Sequence, residues 1–132
     1  MGLAVELALV AAGGAVGGAG RFGLTQFAAE QWGEGFPWGT IAVNVSGACF
    51  LGALAAGIGT LSPSPRLEAL WAFAAVGMLG SYTTVSSFSL QSLELMKEKR
   101  WGAAGLNIAI SFLLCLLGVG LGFGGVRAAA GG

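Results

Sequence analysis

Four long apolar stretches alternate with short polar ones along the chain. They cover about residues 3–29, 38–59, 67–96 and 102–126. Each meets the ~20 residues that a helix needs to cross a bilayer core. The punctuation between them is clear. Residues 31–36 form a polar turn with Gly33, Glu34 and Gly35, and Pro37 and Trp38 open the next stretch. Proline suits a first helical turn and tryptophan suits the membrane interface. Leu61-Ser-Pro-Ser-Pro65-Arg66 is a loop, because two prolines stop a helix. Lys97-Glu-Lys-Arg100-Trp101 is a charged loop with a Trp anchor. The pattern predicts an all-α membrane protein, a single integral membrane domain over residues 1–132, with four transmembrane helices and both termini on one side.

The third stretch breaks the apolar rule. Between Gly77 and Gln91 it carries hydroxyls at Ser81, Tyr82, Thr83, Thr84, Ser86, Ser87 and Ser89. Gly77 and Gly80 invite a break, so the third helix is expected to be broken near Gly80–Thr83. Irregular backbone at membrane depth is tolerated only where it is buried in protein or lines a water-filled cavity. Ser81, Thr84, Phe88 and Gln91 succeed one another at spacings of three and four, which predicts one shared face. Asn44 and Ser46 interrupt the second stretch, and Asn107 and Ser111, four apart, interrupt the fourth, with Cys115 continuing their line. Polar groups inside a membrane default to a functional reading. The bland alternative is that serine and threonine hydroxyls bond their own preceding carbonyls. Three aligned sets on three helices favour a lined pathway over that alternative.

Composition supports the membrane assignment: 55% of residues are hydrophobic and 9% charged, against about 25% charged in a soluble domain. Glycine accounts for 25 of 132 residues, and small residues let membrane helices approach closely. Gly13, Gly14, Gly17 and Gly18 give two overlapping GxxxG pairs. A signal peptide over the first stretch is disfavoured, since Glu6 stands where a basic region belongs. Gly18-Ala-Gly20-Arg-Phe-Gly23 fits GxGxxG, but that fingerprint needs a βαβ unit, which an apolar helix does not provide. Cys49 and Cys115 read as small buried hydrophobes. There is no histidine, which removes most zinc and His-base chemistry, and an enzyme is not expected. Net charge is zero, so no nucleic acid or other polyanion partner is implied.

The charges that are present narrow the cargo. Glu6 lies near the start of the first stretch, and no Asp or Glu falls mid-membrane. A proton-coupled cation exporter generally wants a buried carboxylate. Neutral donors, with Arg21 the one embedded positive charge, favour a small anion or a neutral solute and passive flow. Arg66 and Arg127 fall on the side of the termini, and Lys97, Lys99 and Arg100 on the other. Two against three is little bias under the positive-inside rule. Either the chain inserts both ways and assembles as an antiparallel dimer, or the three clustered charges fix one orientation.

Gly39-Thr-Ile-Ala-Val-Asn44-Val-Ser-Gly47 with Gly52, followed by Gly77-Met-Leu-Gly80-Ser-Tyr-Thr83-Thr84-Val85-Ser86-Ser87-Phe88, resembles the Fluc (CrcB) fluoride-channel family. Gly13-Gly14-Ala-Val-Gly17-Gly-Ala-Gly-Arg21-Phe22 is similar to that family's opening motif. The resemblance implies an antiparallel dual-topology dimer, homodimer or heterodimer with a paralogous subunit, in the cell membrane of a prokaryote. It implies two fluoride pores, with Asn44, Thr84, Phe88, Ser111 and the embedded Arg21 along the pathway. It also implies a structural sodium ion on main-chain oxygens at the third-helix break, at positions matching Gly80 and Thr83. Two positions depart from the family pattern. Val85 stands where the first of two pore phenylalanines is found, and Gln91 where a Glu is usual, so a heterodimeric partner or one altered pore is expected. Two rivals are a small dual-topology exporter of drug-like cations, which would need a mid-membrane carboxylate, and a non-transporting membrane subunit.

Overall fold

The computed structural model describes residues 1–131, and every regular element among them is helical. Four spans are long and apolar enough to cross a membrane: α1 (Leu3–Trp32), α2 (Trp38–Gly59), α3 (Pro65–Lys97, interrupted within its length) and α4 (Trp101–Ala129). The expected stretches are all present, with ends extended outward by up to three residues. The extensions obey local stop signals rather than hydropathy. Helix α1 runs on through Glu30 and Gln31 until Gly33 takes a left-handed φ of 75°. Helix α3 starts where the Ser64 hydroxyl accepts the Leu67 N–H, with Pro65 in the first turn.

Contacts between chain ends fix the topology. The N-terminal amine lies 3.9 Å from Glu68 Oε2, so the N-terminus and the Pro loop share one end of the bundle. At the other end Arg100 Nη1 donates to the Gly35 carbonyl at 2.6 Å, joining the α1–α2 and α3–α4 loops. Trp32, Trp38 and Trp101 all stand exposed at that end, where a tryptophan belt belongs at an interface. Large apolar side chains such as Phe50, Phe112 and Leu121 point outward, as a lipid-facing surface requires.

Helix α1 packs along the first part of α3, and α2 packs along α4. Both seams rest on missing side chains. A Cβ at Gly17 would run into the Met78 carbonyl oxygen, and one at Gly13 into that of Phe73. Gly77 answers from α3, pressed against Val10 and Gly13. In the other seam Gly122 lies against the Cys49 carbonyl and Gly52 against that of Val119. Of the two overlapping GxxxG pairs, only Gly13 and Gly17 are buried; Gly14 and Gly18 have no atom within 4 Å of a built Cβ. With no hydrophobic drive between helices in lipid, this close backbone approach is what dispersion and packing need.

The break in α3 falls at the far end of the expected Gly80–Thr83 region, three to four residues beyond Gly80. Trp71–Leu79 winds as a π-helix, and Gly80–Tyr82 returns to α geometry, Gly80 itself being helical at φ −62° and ψ −33°. The chain opens at Thr83 and Thr84, with ψ of 156° and 118°, before Val85–Lys97 resumes. Gly77 serves close packing rather than flexibility, and threonines, at ease in extended backbone, make the opening. The opening also turns the resumed helix relative to the part of α3 before it. Ser81 therefore does not share a face with Thr84 and Phe88, and its hydroxyl donates to the Gly14 carbonyl of α1 at 2.8 Å.

Helix α3 ends in a Schellman turn: Lys99 N–H donates to the Met96 carbonyl and Arg100 N–H to that of Leu95. Lys99 sits there at φ 60°, where a β-carbon is strained. Lys99→Gly is expected to stabilise the protein by about 0.5–1 kcal/mol, read as a higher midpoint of thermal unfolding in detergent. A lower midpoint would contradict the strain.

Candidate functional site

The break in α3 is held open by α2. Asn44 Oδ1 accepts the Thr84 N–H at 2.7 Å, and Asn44 Nδ2 donates to the Thr84 carbonyl at 2.9 Å. A side-chain amide thus replaces both partners that a continuous helix would have supplied to this residue. Thr84 in turn caps the resumed helix, its Oγ1 accepting the Ser87 N–H at 3.1 Å. Two residues along α2, Ser46 Oγ and Tyr82 Oη lie 2.8 Å apart, tying down the residue before the opening. The break is therefore clamped on both sides by α2 and at Ser81 by α1.

Around the break lies a cavity of about 670 Å³. Seven residues singled out in the sequence line it: Asn44, Gly80, Thr83, Thr84, Val85, Phe88 and Ser111. No charged side chain contributes to its wall. Val85 is 76% exposed and stands at the open flank of the cavity, while Phe88 is half-buried within it. The N-terminal turn of Val85–Lys97 also opens here, and the positive end of a helix dipole favours negative charge. Ser111 is held through a buried chain of polar groups. It donates to Asn107 Oδ1 at 3.4 Å, Asn107 Nδ2 donates to Ser92 Oγ at 2.9 Å, and Ser92 donates to the Phe88 carbonyl at 2.8 Å.

A second cavity of about 730 Å³ continues the line toward the tryptophan end of the bundle. Gln91, one turn beyond Phe88, and Thr40, one turn before Asn44, both line it. Charge gathers here, from Glu34, Glu94, Glu98 and Arg100. Gln91 Oε1 is buried without a hydrogen-bond partner. The sequence reading missed Thr40, Gln26 and Arg100 as lining residues. The spacing of Thr40 and Asn44, four apart on α2, was the available signal for the first of them. Arg21 lines neither cavity within a single chain and forms no ion pair among the described residues.

The family model for CrcB-like protein, Camphor Resistance (CrcB), matches residues 8–123, which include every residue lining the two cavities. The chain belongs to the CrcB family. It is similar to a fluoride-specific ion channel FluC 3 of Brucella suis biovar 1, with 48% identity over 124 residues, 89% of each chain. A fluoride-specific ion channel FluC 2 of Rhodopseudomonas palustris is 47% identical over 129 residues, 94% of this chain and 95% of that protein. A fluoride-specific ion channel FluC of Opitutus terrae is 44% identical over 117 residues, 86% of each. Membership in the CrcB family, with four spanning helices, makes this a multi-pass membrane protein of prokaryotic type.

The sodium ion implied by the CrcB resemblance can be tested against the donors at the break. Thr84 N–H is drawn to Asn44, so it does not bond the Gly80 carbonyl; Ser87 N–H goes to Thr84 Oγ1 and leaves the Thr83 carbonyl. Two main-chain oxygens therefore lack backbone donors at the two positions expected. Uncharged hard oxygens suit an alkali cation, so the donor set fits the group.

Proposed function

We propose that this chain is a fluoride-selective passive channel subunit. The observation that carries the reading is the composition of the inner cavity: Asn44, Thr84, Phe88 and Ser111 converge on it, and no charged side chain lines it. Fluoride holds its water strongly, so a selective pathway must substitute hydrogen bonds for the hydration shell. Ser111 supplies a hydroxyl, Asn44 retains one amide hydrogen beyond the one given to Thr84, and the Phe88 ring edge is the positive part of its quadrupole. A fixed carboxylate in this wall would repel the anion, and a fixed cation would hold it too long. The relatives' name, fluoride-specific ion channel, supports the same cargo. The channel reading excludes catalysis as the primary role.

The functional unit is two copies in antiparallel arrangement, since the inner cavity opens sideways at Val85 and needs a second wall. The Gly80 and Thr83 carbonyls of each copy would hold the sodium ion. Such an ion supplies fixed positive charge that ties the two breaks together. From the inner cavity the anion passes Phe88 toward Gln91 and Thr40, and leaves by the charged outer cavity.

A channel moves net charge. Fluoride-loaded proteoliposomes are expected to release fluoride only after a potassium ionophore provides a compensating path. Equal release without the ionophore would indicate coupled, electroneutral exchange and would contradict the passive reading. Val85→Phe restores an aromatic edge at the open flank and is expected to leave fluoride efflux intact or to raise it. An efflux trace reduced to that of protein-free vesicles would refute the place given to Val85.

A further inference from the structure

Ser111 commits its proton differently from Thr25, Thr83 and Ser92. Thr25, Thr83 and Ser92 each donate to the carbonyl four residues back, at 2.8, 3.0 and 2.8 Å, the usual resting place of a helical hydroxyl. Ser111 donates instead to the Asn107 side chain at 3.4 Å, a long and hence weak bond. Asn107 is 1% exposed and Ser92 5% exposed, and neither lines a cavity.

The direction of this chain of bonds is fixed at its far end. The Phe88 carbonyl can only accept, so the Ser92 proton is committed to it. Ser92 Oγ can then only accept from its other neighbour, which places Asn107 Nδ2 against it and Oδ1 toward Ser111. Turning the Asn107 amide over would set Oδ1 against an oxygen that has no proton left to give.

We infer that Asn107, oriented by Ser92, is a positioning residue that holds the Ser111 hydroxyl on a weak acceptor, so that an anion in the inner cavity can win that hydrogen bond from it. Without the amide, the Ser111 hydroxyl falls back on the main-chain carbonyl of residue 107, as Thr25, Thr83 and Ser92 do on theirs, and is withdrawn from the cavity. The inference rests on the fluoride reading and assigns a cause to the availability of one donor.

The test is initial fluoride efflux from proteoliposomes at low fluoride, for Ser111→Ala, Asn107→Leu, the double variant, Ser92→Ala and Ser92→Thr. Loss of one hydrogen bond to a charged ligand is expected to slow Ser111→Ala roughly ten-fold. Asn107→Leu is expected to match it, and the double variant to be no slower than either single one, because both remove the same bond. Ser92→Ala frees the amide and slows efflux, and Ser92→Thr, which keeps the hydroxyl, restores it. Losses that multiply in the double variant, or an Asn107→Leu rate equal to wild type, would overturn the inference. If Asn107→Leu is not monodisperse, the Ser92 pair decides, and equal rates for Ala and Thr overturn it. Wild-type protein that carries no fluoride would overturn the fluoride reading itself, whereas wild-type flux with multiplicative variants overturns only the role of Asn107.

Discussion

Alanine at Gly17 is expected to separate α1 from α3. The added methyl meets the Met78 carbonyl and the Ser81 hydroxyl, which are backbone and a side chain already bonded to Gly14. A flexible neighbour would yield, but a main-chain carbonyl moves only if the whole helix moves. Overpacking typically costs about 1–3 kcal/mol, and the upper end applies where the obstacle is backbone. The midpoint of thermal unfolding in detergent is expected to fall by on the order of 10 °C. Gly18→Ala is the control on the same helix, with nothing within 4 Å of its built Cβ. Its expected effect is small and stabilising, since alanine is the better helix former by about 1 kcal/mol. Equal loss in the two variants would mean that glycine content, and not the Gly13–Gly17 seam, holds the bundle together.

The second large effect belongs to Asn44. Its truncation to alanine strips the Thr84 N–H and carbonyl of their side-chain partners at once. An unsatisfied buried polar group costs about 1–3 kcal/mol, and two of them are enough to let the extended pair Thr83–Thr84 rearrange. The cavity wall would rearrange with it, because Thr83, Thr84, Val85 and Phe88 all hang from this point. Fluoride efflux from proteoliposomes is expected to drop at least ten-fold, the equivalent of about 1.4 kcal/mol. Asn44→Asp separates the two duties of the side chain. It keeps an acceptor for the Thr84 N–H, loses the donor and places a negative charge in the anion's path, so it too is expected to fail. Near-normal flux in Asn44→Asp would show that Asn44 matters only as an acceptor.

The fold was largely legible because membrane spans announce themselves by length and composition alone. Pro63 and Pro65, the Lys97–Arg100 cluster and the tryptophans marked the span ends closely, since each acts locally. The break falls at the far end of the expected Gly80–Thr83 region, but its cause was not legible. Gly77 and Gly80 looked like the weak point, yet glycine in this bundle mainly gives closeness between helices, and Gly80 stays helical. The opening at Thr83 and Thr84 is fixed by Asn44, forty residues earlier, and no local rule reports a bond of that range. The break also takes Ser81 off the face of Thr84 and Phe88 that the spacing predicted, and its hydroxyl bonds Gly14 instead. The cluster Asn44, Thr84, Phe88 and Ser111 was legible because uncharged polar residues in lipid-spanning helices have nowhere to face but inward. The outer cavity was not, because it gathers the ends of three helices with two loops joined by the Arg100–Gly35 bond.

The most direct measurement is the rate at which fluoride and chloride leave the same proteoliposomes, recorded side by side with ion-selective electrodes and a potassium ionophore present. A wall of neutral donors that replaces the shell of a small, strongly hydrated anion predicts rapid fluoride release and chloride release at the level of protein-free vesicles. Both anions escaping at similar rates, or fluoride escaping no faster than from empty vesicles, would contradict it.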